Sequence, residues 1–122
     1  MTLNELNRVF DLRTALGAAE LQRENLAKAT GDSNMFSAEI DLVDWRIDQM
    51  KQQLLEVEAA VQDFIRGIDD PQFAVALRLR FIRGLLWKDL YDLAGYPSEA
   101  AVTSAVYRYF RRQAKEKDDA SG

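Results

Sequence analysis

An all-α chain, with a long N-terminal antiparallel helical hairpin ahead of a small C-terminal helix-turn-helix, is the fold that three features of this sequence predict. The 122 residues include only two prolines and six glycines, and Ala, Leu, Glu, Gln, Lys and Arg abound, the composition of helices. Apolar residues recur at steps of three and four without a break from Ile40 to Phe64, the spacing of one helix face. The helix breakers gather at "GIDDP" (67–71), Gly84 and "GYPS" (95–98), so the C-terminal part divides into short segments. No stretch alternates Val, Ile and Thr in the manner of a half-buried strand.

The first helix starts at "TLNE", which reads as a capping box: the Thr2 hydroxyl accepts from the Glu5 amide and the Glu5 carboxylate reaches back. Val9, Leu12, Leu16, Ala19 and Leu26 form its apolar stripe, and Glu24 with Lys28 is a favourable pair four residues apart. Gly17 is its weak point, disfavoured by about 1 kcal/mol against alanine. "TGDSN" at 30–34 supplies turn formers and the cap of the next helix.

The second helix, over about residues 35–67, carries a heptad seam: Ile40, Ile47, Leu54 and Val61 at a, with Val43, Met50, Val57 and Phe64 at d. Such a stripe requires a partner, either the first helix, a second copy, or both. The short connector favours an antiparallel hairpin. Leu42 and Trp45 fall at c and f, away from the seam, and are candidates for an oligomer interface. Asp41, Asp44 and Asp48 lie partly along one side; without histidine or a convergent second set of acids they read as a solvated flank rather than a metal site.

Gly67 ends this arm, Asp69 or Asp70 caps a third helix from Pro71 to about Arg83, and Gly84 stops it. A short helix follows from about Leu86 to Ala94 with Trp87, Leu90 and Ala94 on one face. A last helix runs from about Glu99 to Lys115, capped by Ser98, with Val102, Ala105, Tyr109 and Phe110 inward. The expected organisation is thus an arm over 1–68, a helix-turn-helix domain over 69–117 and a disordered tail over 118–122.

Cysteine and histidine are both absent. Cysteine nucleophiles, Ser-His triads and the usual zinc sites are therefore excluded, and neither catalysis nor a cofactor is expected. No apolar run approaches a membrane span and no leader pattern opens the chain, so a cytoplasmic protein without membrane contact is expected. The net charge of −4 conceals an asymmetry: residues 1–70 hold 7 basic and 14 acidic side chains, and residues 71–117 hold 9 and 4. A basic segment in an acidic chain points to one patch that meets a polyanion.

A short helix, a glycine-containing turn and a longer helix rich in arginine toward its end make a helix-turn-helix pattern. Arg78, Arg80, Arg83, Lys88, Arg108, Arg111, Arg112, Lys115 and Lys117 are the candidate phosphate contacts. Thr103, Ser104 and Tyr107, expected outward between Val102, Ala105 and Tyr109, are the candidates for base edges or thymine methyls.

Residues 76–112, "ALRLRFIRGLLWKDLYDLAGY" and then "V...V.RYFRR", resemble the C-terminal segment of phage and prophage late-gene regulators of the RinA/ArpU kind, which carry a sigma-factor region-four-like helix-turn-helix. Arg80, Ile82, Gly84, Leu85, Trp87, Gly95, Tyr96, Ser98, Val102 and Arg108 match that pattern; the arm is similar in layout only. Leu86 stands where the family has a capping serine, Tyr91 where it has a small residue, Pro97 is extra, and the start of the last helix has short side chains. The resemblance implies a DNA-binding transcription regulator acting on double-stranded DNA and would permit RNA polymerase as a further partner; the seam and the Leu42 and Trp45 side lead to the expectation of a homo-oligomer. The alternative reading is a protein-contact or assembly module, an RNA polymerase or phage packaging component, whose helix-turn-helix is mainly a scaffold; the short side chains are its supporting feature.

Overall fold

The computed structural model describes the chain except Asp32 and Gly122, with the side chains from 117 onward also outside the description. Among the described residues every regular element is a helix: α1 Leu3–Thr30, α2 Ser37–Arg66, α3 Pro71–Phe81, α4 Trp87–Leu90 and α5 Glu99–Ser121. They make two compact units, Arg8–Ala59 and a second built from Met1–Asn7 with Ala60–Gly122.

The first unit is the hairpin. Ala19, Val43 and Ile47 are buried at its centre, with Leu16, Leu26 and Met50 packed around them. Two ion pairs cross between the helices, Arg13 to Glu58 at 2.7 Å and Arg23 to Asp44 at 2.6 Å. Moving forward along α1 moves backward along α2, so the pair is antiparallel, as the connector length implied. The α2 seam turns to α1: Val43 and Ile47 are buried and Ile40, Met50, Leu54 and Val57 half-buried. It is filled within the chain. At its connector Gly31 adopts φ 58° and Thr30 donates its hydroxyl to the Leu26 carbonyl at 2.7 Å. Asp32, part of the expected capping segment, lies outside the described residues. The Glu24–Lys28 pair forms at 2.9 Å.

The second unit holds α3, α4, α5 and the ends of the two long helices. Thr2 accepts from the Glu5 amide at 3.2 Å, which starts α1 as the capping pattern requires. Asp70 caps α3, its Oδ1 accepting from the amides of Gln72 at 3.0 Å and Phe73 at 3.4 Å, with Pro71 in the first turn. Ala76, Leu90, Ala94 and Val102 form the buried centre, and Leu79, Leu85, Trp87, Tyr91 and Tyr96 close around it. Phe64, in the last turns of α2, meets Tyr109 edge-on at 6.3 Å between ring centroids and stacks on Phe110 at 6.0 Å. These aromatic contacts place the end of α2 with the C-terminal unit, whereas the sequence assigned everything through 68 to the arm.

Three boundaries differ from expectation. α3 stops at Phe81 rather than Arg83: the Ile82 amide makes the last helical bond, to the Arg78 carbonyl at 2.9 Å, and the Arg83 amide leaves the ladder by reaching that same carbonyl, five residues back, at 3.1 Å, ahead of Gly84 with φ 76°. α4 is four residues rather than nine; residues 91–95 form turns that end on Gly95 with φ 80°. α5 continues past Lys115 to Ser121, since neither glycine nor proline interrupts it.

Candidate nucleic-acid interface

Ser98 begins α5, its hydroxyl accepting from the Ala101 amide at 3.1 Å. From there a helical period sorts the side chains. Val102 is fully buried, Val106 is 2% exposed, and Ala105, Tyr109 and Phe110 are half-buried, so one face packs inward. Val106 belongs to that face although the sequence reading did not place it there; its spacing of four from Val102 was the available signal. The opposite face carries Ser104, Tyr107, Arg108, Arg111, Arg112 and Lys115, all exposed and related by steps of three and four. Four of these six are cationic; the exposed Glu116, one step of four beyond Arg112, is the acid at the end of this face. The first turn differs, since Glu99 stands there; it favours the helix N-terminus but would repel a phosphate.

Of the proposed contacts, Ser104, Tyr107, Arg111, Arg112 and Lys115 lie on the exposed face of α5, and Arg83 and Lys88 are exposed on the segment before it. Arg108 is also exposed, but its Nε donates to the Ser104 carbonyl at 3.3 Å, which lays it along its own helix. The side chain of Lys117 is outside the described residues. Two candidates are placed differently. Arg80 is half-buried; its Nη1 donates to the Leu85 carbonyl at 3.2 Å and its guanidinium lies 4.9 Å from the Trp87 ring centroid. Burial lowers its pKa from the ordinary arginine value. A guanidinium so engaged braces the loop between α3 and α4 instead of facing a phosphate. Thr103 is half-buried too, its hydroxyl donating to the Glu99 and Ala100 carbonyls at 3.1 and 3.2 Å. It lines a small hollow with Leu3, Asn7, Trp87 and Val106. That geometry takes its hydroxyl away from any base edge.

Beside the basic face lies an open groove of about 470 Å³, lined by the α2–α3 loop, Phe73, Tyr96 and the α5 residues Ala105, Arg108, Tyr109 and Arg112. Burial raises the Tyr96 phenol above its usual value; the Asp70 charge raises it further, and Arg108 opposes. The groove therefore mixes signs, with Asp69 and Asp70 across from two arginines.

Among the described residues no group of three or more acids could hold a metal ion. Asp44 is committed to Arg23. No helix among them is long and apolar enough to cross a membrane. Leu42 and Trp45 are 67% and 63% exposed, so neither is absorbed into the hairpin core. Compared with family models, curated proteins and solved structures, the chain matches none.

Proposed function

We propose that the chain binds double-stranded DNA through the exposed basic face of α5, as a transcription regulator of the phage late-gene kind with α4, the turn over 91–98 and α5 as its helix-turn-helix. The observation that carries this reading is the run of Arg108, Arg111, Arg112 and Lys115 on one outward stripe, without an acid among them. In this reading the arginines and lysine sit along phosphates, and base readout is sparse, since Ser104 and Tyr107 are the outward polar groups in the first turns. Affinity then comes mainly from released counterions. Four phosphate contacts per protomer give a slope of about −3.6 in log K against log salt.

Titration of duplex DNA into the full chain at a series of salt concentrations tests this. Binding at low salt that falls steeply with added salt is expected, and reversal of charge in Arg111→Glu/Arg112→Glu is expected to weaken it at least tenfold with unchanged helicity. Absence of binding at low salt, or binding indifferent to salt, rejects it.

A second reading, a protein-contact or assembly module, rests on a different observation: Leu86 and Leu93 are 49% and 67% exposed and Val75 is 45% exposed in the same unit. If that reading is right, Leu93→Gln abolishes partner capture and the Arg111/Arg112 reversal does not.

A further inference from the structure

α2 carries a second heptad stripe, on the side away from its packed seam. Ala38, Leu42, Trp45, Gln49 and Gln52 follow steps of four, three, four and three, and all five are exposed. They are also uncharged, along a helix whose remaining exposed positions over the same span are mostly Asp, Glu, Lys or Arg. An uncharged strip of roughly 21 Å at 1.5 Å per residue, with a leucine and a tryptophan at its centre, has the character of a helix-packing surface.

The charges flanking this strip select its occupant. With Leu42 and Gln49 taken as a and Trp45 and Gln52 as d, Asp41 and Asp48 fall at g, and Glu39, Arg46 and Gln53 at e. A parallel second copy sets g of one helix against the e five residues on in the other. Asp41 then meets the partner copy's arginine at position 46, twice by symmetry, and Asp48 meets an uncharged glutamine. An antiparallel copy would instead set the Asp41 and Asp48 flank against its own like, carboxylate facing carboxylate. Glu56 is the next residue on the stripe. In a parallel pair it faces its own copy, and this repulsion limits the contact to the segment before it. Asp41 and Arg46 are exposed and take part in none of the ion pairs Arg13–Glu58, Arg23–Asp44, Glu24–Lys28 and Asp63–Arg66, so both are open to a partner.

We infer that the partner of this stripe is a second copy of the chain, joined as a parallel α2–α2 pair in register through Leu42 and Trp45, with Asp41 of each copy opposite Arg46 of the other. This names the partner for the oligomer interface that Leu42 and Trp45 suggest in the sequence, and it rests on α2 alone and not on what α5 binds. In a parallel pair both copies of α2 end at the same side, which suits two-fold binding of one long ligand.

The test uses the full chain without DNA. Sedimentation equilibrium is expected to show a dimer that Trp45→Gln and Leu42→Gln each weaken at least tenfold, with unchanged far-ultraviolet circular dichroism. Asp41→Arg and Arg46→Asp are each expected to weaken it, and the two together to restore it. The chain has no cysteine, so Ala38→Cys introduces a single thiol. At a d position of a parallel pair the two thiols face one another and oxidise to a linked dimer; in an antiparallel pair centred on Trp45 they lie roughly 21 Å apart and cannot. A monomer up to about 100 µM, a dimer indifferent to both Trp45→Gln and Leu42→Gln, or an Ala38→Cys dimer that does not cross-link overturns the inference. None of these outcomes decides whether α5 binds duplex DNA, which its own salt titration decides; loss of the dimer changes only the strength of that binding.

Discussion

Arg80 shows how far one side chain's role depends on its surroundings. It sits in a run with Arg78 and Arg83, where the simplest reading of sequence is a shared basic surface. Its guanidinium instead bonds the Leu85 carbonyl and covers Trp87, because the turn at Gly84 brings the next segment of chain back over α3. Leu86 presents the converse case. It occupies the N-cap of α4 in extended conformation, with φ −76° and ψ 150°, and no side chain caps the helix there. A serine at this position would accept from an amide of the first turn, and only a half-exposed leucine is lost. Leu86→Ser is therefore expected to stabilise the protein by about 1 kcal/mol, measured as a shift in urea midpoint at constant slope. Capping of this sort was legible without coordinates, since it involves residues three apart. Arg80's orientation was not, because it depends on the path of the loop.

Among the elements, α5 is the one whose two faces matter most. Its inward face of Val102, Val106 and Tyr109 packs in the C-terminal unit, where Phe73 and Tyr109 lie 4.8 Å apart between ring centroids. That packing fixes which residues remain outside, and the basic stripe follows from it. The turn before α5 is held by Gly95, whose carbonyl accepts from Gln72 Nε2 at 2.8 Å and whose φ is 80°. A Cβ there would lie 3.4 Å from the same Gln72 nitrogen and would be strained on this left-handed backbone. Gly95→Ala is expected to cost about 1–2 kcal/mol in urea unfolding, with the strain rather than the contact as the larger part. The positions of the breaks between α3, α4 and α5 were legible from Gly84, Gly95 and Pro97. The length of α4 was not: residues 91–94 have helical composition, but the chain must turn there for Tyr96 to close on the buried centre.

At the scale of the whole molecule, the acidic arm and the basic C-terminal segment divide the labour proposed above, one for pairing and one for DNA. If the arm pairs and α5 binds DNA as proposed, a dimer offers one duplex two basic stripes, and linked sites gain affinity without any new contact. Trp45→Gln, which leaves every basic residue of α5 in place, is accordingly expected to lower duplex affinity and to reduce the salt slope by about half, as one protomer's phosphate contacts are lost. Salt-dependent fluorescence anisotropy on wild type and variant at equal protomer concentration measures both.

Helix content, the capping of α1, α3 and α5, the α2 seam and the placement of turns were determined by the sequence by itself. Each depends on neighbours within about one helical turn, whose relation is set by a fixed period. Only the tertiary structure decided that α1 fills the seam, that Phe64 belongs with Tyr109 and Phe110, that Arg80 and Thr103 turn inward, and that Arg111, Arg112 and Lys115 remain outside. Those outcomes depend on which distant surfaces meet, and periodicity within one helix does not encode that.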